Sequence, residues 1–140
     1  MHATAILVPV FVLAAWTGLV LLLIPVVRIR AALRREVVAD DFRHGESGEV
    51  PQHVRIPNRN YMNLLELPVL FYVACLLLFA TGGASSAALG CAWAYVGLRI
   101  VHSGIHLTYN HVLHRLAVFA LSNFVLLALW VLAGVQIFSA

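Results

Sequence analysis

The sequence predicts an all-α integral membrane protein in which four transmembrane helices form one bundle, and three observations support this. Of the 140 residues, 62% are hydrophobic and only 11% are charged, a composition outside the range of soluble globular domains. The mean hydropathy is +0.93. The apolar residues also fall into four runs, each close to the roughly 20 residues that a helix needs to cross the hydrocarbon layer. We therefore predict one domain, residues 1–140, with four spans.

The first predicted span covers residues 5–27 and contains no charged residue. It lacks the basic start and the small-residue cleavage site of a signal peptide, so we expect it to remain in the mature protein. A polar loop, residues 28–58, follows it. Gly, Glu, Ser and Pro between His44 and Pro51 indicate a flexible stretch in this loop rather than a second domain.

The other three spans are predicted over residues 59–80, 86–109 and 113–138. The second and third are joined by TGGAS, Thr81 to Ser85, a connection so short that the two helices must be antiparallel neighbours. A polar turn around Asn110 and His111 leads into the fourth span.

The distribution of basic residues predicts the orientation in the membrane. All nine are arginine, and seven lie between the first and second spans: Arg28, Arg30, Arg34, Arg35, Arg43, Arg55 and Arg59. The positive-inside rule places this loop and the turn at 110–113 in the cytoplasm and both termini outside. Topology and contact with anionic lipid explain Arg34, Arg35 and Arg43, so the sequence pI near 9.3 requires no nucleic-acid partner.

Small residues recur at a period of seven from the turn at 81–85 through the third span: Gly83, Gly90, Gly97 and Gly104. A seven-residue period returns to nearly the same side of a helix, and small residues let another helix come close. We therefore expect the third helix to be an inner, tightly packed one. Cys75 and Cys91 lie in apolar runs, and we interpret both as packing residues.

Two polar stripes interrupt this apolar pattern. On the second span, positions i, i+4 and i+7 fall within roughly 60° of one another on a helix; these are Arg59, Asn63 and Glu66. On the third span, steps of three, four and three residues form a stripe facing away from the glycines: Arg99, His102, His106 and Tyr109. The stripes predict a polar cavity within the bundle.

Charge and height in the membrane predict how these residues pair. Glu66 and Arg99 lie at similar depths, about 15 residues below the outer turn, and a lone charge in a span costs roughly 2.5–3.5 kcal/mol. We therefore predict a buried Glu66–Arg99 ion pair, which could be purely structural. Arg59 and Arg115 share a height nearer the cytoplasm. This surplus of arginine favours binding of an external anion, and guanidinium groups suit carboxylates best.

Three segments carry a family resemblance: RNYMNLLELP from Arg59 to Pro68, RIVH from Arg99, and HRLA from His114. They resemble helices 2, 3 and 4 of the membrane-associated proteins in eicosanoid and glutathione metabolism (MAPEG), among them the bacterial-type microsomal glutathione transferases. The resemblance covers essentially the whole chain. It implies a homotrimer that binds glutathione as co-substrate in cytoplasm-facing clefts between subunits, in the inner or plasma membrane if the protein is bacterial.

The same resemblance implies residue roles. Arg59, Asn63 and Glu66 would hold glutathione, with Glu66 taking its amino group, and Arg28 would reach into the neighbouring subunit's site. Arg115 would stabilise the thiolate, which agrees with its chemistry because a positive charge lowers the pKa of a thiol. A final group would lie at or near the pocket wall: His102, His106 and Tyr109.

The sequence departs from some family members. Leu116 stands where the prostaglandin E synthases carry serine, Leu67 where the leukotriene-forming members carry tyrosine, and His106 where the pocket wall is often tyrosine. The function that the resemblance implies is therefore generic. It is transfer of glutathione to a lipophilic electrophile, or reduction of a lipid hydroperoxide, at the bilayer.

Two alternatives belong to other classes. The first is a non-catalytic lipid- or glutathione-binding protein of the same fold, because fold does not determine function. The second is a metal or haem protein, since His102 and His106 are one turn apart and have His111 and His114 nearby. No cysteine or second carboxylate joins these histidines, so we expect no metal site.

The topology can be tested by labelling single cysteines in intact cells. Residues 40–50 should not react with an impermeant reagent added outside, because the positive-inside rule places them in the cytoplasm. The turn at 81–85 should react. Outside labelling of residues 40–50 would overturn the orientation.

Overall fold

Five α-helices make up most of the chain in a computed structural model, which describes residues 3–139. They are α1 (Leu7–Leu33), α2 (Gln52–Leu65), α3 (Pro68–Ala80), α4 (Ser86–Leu107) and α5 (Val112–Phe138). Two short 3-10 helices are also present. Ala3–Ile6 precedes α1, and Ala39–Phe42 lies in the long loop between α1 and α2. The structure is all-helical, as the sequence predicts.

Helix α1 runs beyond the predicted first span. It continues through Arg28 and Arg30 to Leu33, and Pro25 lies inside it. The helix ends where Arg35 adopts a positive φ of 60°. The amide of Glu36 then donates to the carbonyl oxygen of Ala31, which closes the last turn. The basic residues that begin the predicted loop are therefore held on a helix.

The second span is not the continuous helix that the sequence suggested. Helix α2 begins at Gln52, seven residues before the predicted start at Arg59, and ends at Leu65. Helix α3 begins at Pro68. Proline has no N–H and its ring clashes with the carbonyl four residues earlier, so the helix breaks at the two residues before it. Glu66 lies in this break with φ −84° and ψ −102°.

The turn at 81–85 ends α3 and begins α4 with standard capping contacts. Gly82 has a φ of +70°, a conformation that glycine adopts without steric cost. The amide of Gly83 donates to the carbonyl oxygen of Leu78 at 2.8 Å, which closes the end of α3. Ser85 Oγ then accepts from the amide of Ala88 and caps the N-terminus of α4.

Three stretches of the described chain are long and apolar enough to cross a membrane: Thr4–Leu33, Gln52–Ala80 and Val112–Phe138. The second contains α2, the break and α3. Helix α4 has 22 residues, about 33 Å, which is sufficient length, but Arg99, His102 and His106 make it less apolar. A fourth span at α4 therefore remains a prediction.

The helices form a four-membered bundle in which α2 and α3 together count as one member. Helix α4 packs most extensively on α5 and also contacts α1, α2 and α3. Its buried face includes Ala92, Tyr95, Val96 and Arg99. The ring of Tyr95 stacks on that of Phe71 from α3, with centroids 4.7 Å apart. Asn60 Nδ2 of α2 donates to Ser103 Oγ of α4, a polar contact typical between membrane helices.

The glycine face of α4 differs from the prediction. A Cβ atom added at Gly90, Gly97 or Gly104 would meet no atom of another helix within 4 Å, and only at Gly83 would it collide, with the side chain of Gln136. Helix α4 is central, but its close contacts come from the opposite face. The spacing of small residues correctly placed the glycines on one face of α4, but it did not show which helix, if any, packs against that face.

Shortening a core side chain should destabilise the bundle. Phe71 is fully buried, so Phe71→Ala removes the stack with Tyr95 and leaves a cavity, at a cost of about 3–5 kcal/mol. The matched control is Phe124→Ala, because Phe124 is 70% exposed on the outside of the bundle. Thermal unfolding in detergent should show a clearly lower Tm for Phe71→Ala alone. Equal Tm values would contradict this arrangement of the core.

Candidate active site

A polar cavity of about 370 Å³ lies between α2 and the turn that joins α4 to α5. Its lining consists of Gln52, Arg55, Ile56, Arg59, Asn63, His106, Asn110, Val112 and Arg115. Three of these residues are arginines, and no acidic side chain is among them. An uncompensated cluster of guanidinium groups favours an anionic ligand, and carboxylates match its geometry.

A second cavity of about 230 Å³ adjoins the first and shares Asn63, Val112 and Arg115 with it. The rest of its lining is His102, Leu116 and Phe119. This cavity is more apolar because the outer side chains of α5 supply much of its wall. The two cavities together therefore offer a cationic compartment and an apolar compartment on either side of Arg115.

Arg115 is positioned by the turn that precedes α5. Its Nη1 donates to Asn110 Oδ1 at 2.7 Å. Asn110 has a φ of 48°, in the left-handed region that asparagine tolerates, and its amide donates to the carbonyl oxygen of Ile105. The turn thus holds the amide group that orients the arginine. The sequence indicated only that Asn110 lies in a turn, and it did not indicate this contact.

Arg99 closes the broken end of α2. It is fully buried, and its Nη2 donates to both the carbonyl oxygen and Oδ1 of Asn63, each at 2.8 Å. Helix α2 ends at Leu65, so this carbonyl has no amide partner further along the helix. A cation at a helix C-terminus is also favoured by the helix dipole. The guanidinium lies 5.5 Å from the ring centroid of Phe119, which lines the apolar cavity.

The predicted ion pair between Glu66 and Arg99 does not form in the single chain, where Arg99 donates to Asn63 instead. Within residues 3–139 the ion pairs are Arg28–Glu46 and His53–Glu36. Glu66 is exposed and lines neither cavity. The reason is the helix break, because Glu66 lies beyond the last helical residue of α2 and no longer continues the stripe of Arg59 and Asn63.

The two histidines of the α4 stripe are buried and lie on different walls. His102 lines the apolar cavity and His106 the polar one. Their ring centroids are 6.1 Å apart, and the ring of His102 is 5.8 Å from that of Phe119. No three His, Cys, Asp or Glu side chains of the described chain are grouped to hold a metal ion. The metal and haem alternative therefore gains no support from these residues.

Two other predicted residues lie outside the cavities. Tyr109 is 61% exposed, and its hydroxyl is 3.2 Å from Nδ1 of His114. Arg28 forms an ion pair with Glu46 at 2.9 Å and places its guanidinium 4.4 Å from the ring centroid of Phe42. The structure therefore groups Arg59, Asn63, His102, His106 and Arg115 around the cavities and leaves Glu66, Arg28 and Tyr109 outside.

Arg55 and Gln52 also line the polar cavity, although the sequence pattern did not single them out as site residues. They continue the stripe of Arg59 and Asn63 backwards along α2 at steps of four and three residues. The periodicity could have revealed them, but the predicted span began at Arg59, whereas α2 begins at Gln52 and contains Pro57.

Comparison with known proteins gave one informative result. A family model described as the MAPEG family matches residues 6–135, nearly the whole chain. No curated protein and no solved structure matched.

Loss of the Arg99 side chain should destabilise the ligand-free protein. Arg99→Ala leaves a cavity and deprives two acceptors on Asn63 of their donor, which together should cost about 3 kcal/mol or more. Glu66→Ala is the control, because Glu66 is exposed and forms no ion pair with Arg99. Thermal unfolding in detergent without ligand should therefore separate the two variants. Equal losses of Tm in Arg99→Ala and Glu66→Ala would instead support the predicted Glu66–Arg99 ion pair.

Proposed function

This chain belongs to the MAPEG family, and from that premise we propose that it is a membrane-bound, glutathione-dependent transferase. Its site would face the cytoplasm, and its second substrate would be a lipophilic electrophile from the bilayer. The family implies glutathione as the co-substrate. The single observation that carries the proposal is the position of Arg115 on the wall shared by a cationic cavity and an apolar cavity.

The polar cavity suits glutathione in size and charge. Its volume of about 370 Å³ lies within the range of roughly 300–1,000 Å³ common for small-molecule sites. Glutathione carries two carboxylates, one ammonium group and one thiol. We propose that Arg55 and Arg59 bind the carboxylates, since charge-assisted bonds from guanidinium to carboxylate are strong and directional. Asn63 would contribute its amide group.

Glu66 and Arg28 would act in a homotrimer. Both lie outside the cavities of a single chain, although the family resemblance gives each a contact with glutathione. We propose that a cleft between two subunits brings Glu66 to the amino group and Arg28 of one subunit to the site of the next. The ion pair of Arg28 with Glu46 would then have to open.

Arg115 would activate the thiol. A fixed positive charge beside the sulfur stabilises the thiolate and lowers the pKa of the bound thiol, and the thiolate is the nucleophile. The sulfur lone pair forms a bond to an electrophilic carbon. The electron pair displaced from that carbon leaves with a leaving group or, in an addition, takes up a proton from water. The bond from Arg115 to Asn110 would keep the guanidinium in place throughout.

The apolar cavity would hold the electrophile. Val112, Leu116 and Phe119 line it, and Leu116 is 58% exposed on the outer face of α5. A lipophilic molecule could enter from the hydrocarbon without crossing water. Arg115 would then have the thiolate on one side and the acceptor carbon on the other.

Kinetics of matched arginine variants test these roles. Arg115→Ala should lower turnover about 10- to 100-fold with little effect on glutathione affinity, because its charge acts on the sulfur. Arg59→Ala should weaken glutathione binding about tenfold and change turnover little, because it loses a carboxylate contact. Stopped-flow absorbance of the thiolate, recorded against pH, would report both steps.

Two controls sharpen the test. Arg115→Lys retains the charge but loses the planar fork, so it should restore part of the turnover. Arg43→Ala removes an exposed arginine of the loop and should behave as wild type. If wild-type protein binds glutathione without shifting its thiol pKa, or if Arg115→Ala turns over normally, the non-catalytic binding alternative would be favoured.

A further inference from the structure

A third cavity, of about 240 Å³, opens between α1 and the start of α2. It is lined by Val27, Arg30, Ala31, Arg34 and His53, and it shares none of these residues with the other two cavities. We call it the α1–α2 groove.

Positive charge in this groove is not neutralised by the chain itself. Arg30 and Arg34 are one helical turn apart on α1, and both are exposed. Neither forms an ion pair within residues 3–139, whereas the nearby Arg28 is paired with Glu46. The acidic side chain that contacts the lining is Glu36, whose Oε2 lies 3.0 Å from Nε2 of His53. Two guanidinium groups therefore lack a counter-ion.

The groove is also amphipathic, and it lies where the hydrocarbon layer should end. The apolar run of α1 reaches Val27, and Arg30 and Arg34 follow within two turns. Val27 and Ala31 form an apolar wall beside the two cations. The cluster of Ala31, Val37, Val50 and Val54 holds the loop against both helices. A preformed groove with an apolar wall and two cations at this depth matches the boundary between acyl chain and headgroup.

We propose that the α1–α2 groove binds one anionic phospholipid, with the phosphate held by Arg30 and Arg34 and the first part of an acyl chain against Val27 and Ala31. Guanidinium groups form strong paired hydrogen bonds with phosphate oxygens. A free phosphate ion would satisfy the same cations but would leave the apolar wall exposed. Both charge and shape therefore favour a lipid.

This inference does not rest on the proposed transferase function. It concerns a groove that shares no lining residue with the two active-site cavities, and it would hold for a non-catalytic member of the family as well. Loss of lipid binding with normal glutathione binding, or the reverse, would separate the two proposals.

Native mass spectrometry of the protein in a neutral detergent, titrated with phosphatidylglycerol, tests the proposal. No charged bilayer surface is present in that sample, so retained lipid reports local sites. Wild type should bind one phosphatidylglycerol per chain and much less phosphatidylcholine. The double variant Arg30→Gln/Arg34→Gln should bind phosphatidylglycerol about 30-fold more weakly, because each of the two arginines near a lipid headgroup contributes about 1 kcal/mol.

The matched control is Arg35→Gln/Arg43→Gln, which removes the same charge from two exposed arginines outside the groove. It should bind phosphatidylglycerol as wild type does. Equal weakening in both double variants would overturn the proposal in favour of diffuse attraction, and so would no weakening in either. Inorganic phosphate is then added as a competitor. If it displaces phosphatidylglycerol at equal concentration, the groove binds a soluble phosphate and the lipid assignment is wrong.

Discussion

The two hydrogen bonds from Arg99 to Asn63 stabilise two features that would each be costly alone, a broken helix end and a buried charge. Pro68 interrupts the second span and leaves carbonyl groups at the end of α2 without amide partners. In a bilayer such groups cannot turn to water. The guanidinium of α4 reaches across and caps that end. A costly break and a costly buried charge thus stabilise each other, and the result fixes α2 against α4.

That contact also determines the shape of the candidate site. Asn63 lines both cavities, and Arg99 holds its side chain by Oδ1. The guanidinium also lies near Phe119 on the wall of the apolar cavity. The site is therefore built on a rigid contact between α2, α4 and α5. Only the turn at Asn110 adds a non-helical element, and it orients Arg115.

The arginines have four different environments, which a count of charges does not distinguish. Arg99 is buried and bonded within the bundle, and Arg28 is paired with Glu46 in the loop. Arg55, Arg59 and Arg115 surround one cavity without an acidic partner among its lining residues. Arg30 and Arg34 flank a separate groove at the surface. Charge that a chain leaves unpaired indicates where an external anion can bind, and here it does so at two places.

The sequence alone determined the all-helical class and the family. The helix bounds were less well determined, because α1 runs six residues past its predicted end and α2 begins seven residues before its predicted start. A span is recognised from the hydropathy of about 20 consecutive residues, and the turn at 81–85 from its glycines. Both signals depend only on residues that are close in the sequence, so neither requires knowledge of the tertiary structure. Helical periodicity also grouped Arg59, Asn63 and the α4 histidines. The sequence did not reveal the break between α2 and α3, although it contains Pro68, because membrane helices often tolerate proline, as α1 does at Pro25.

Only the tertiary structure decided that Glu66 lies outside the cavities, that Arg99 donates to Asn63, and that Asn110 orients Arg115. Each of these depends on the direction of a side chain after a break or a turn, and a change of one residue in helical phase rotates that direction by about 100°.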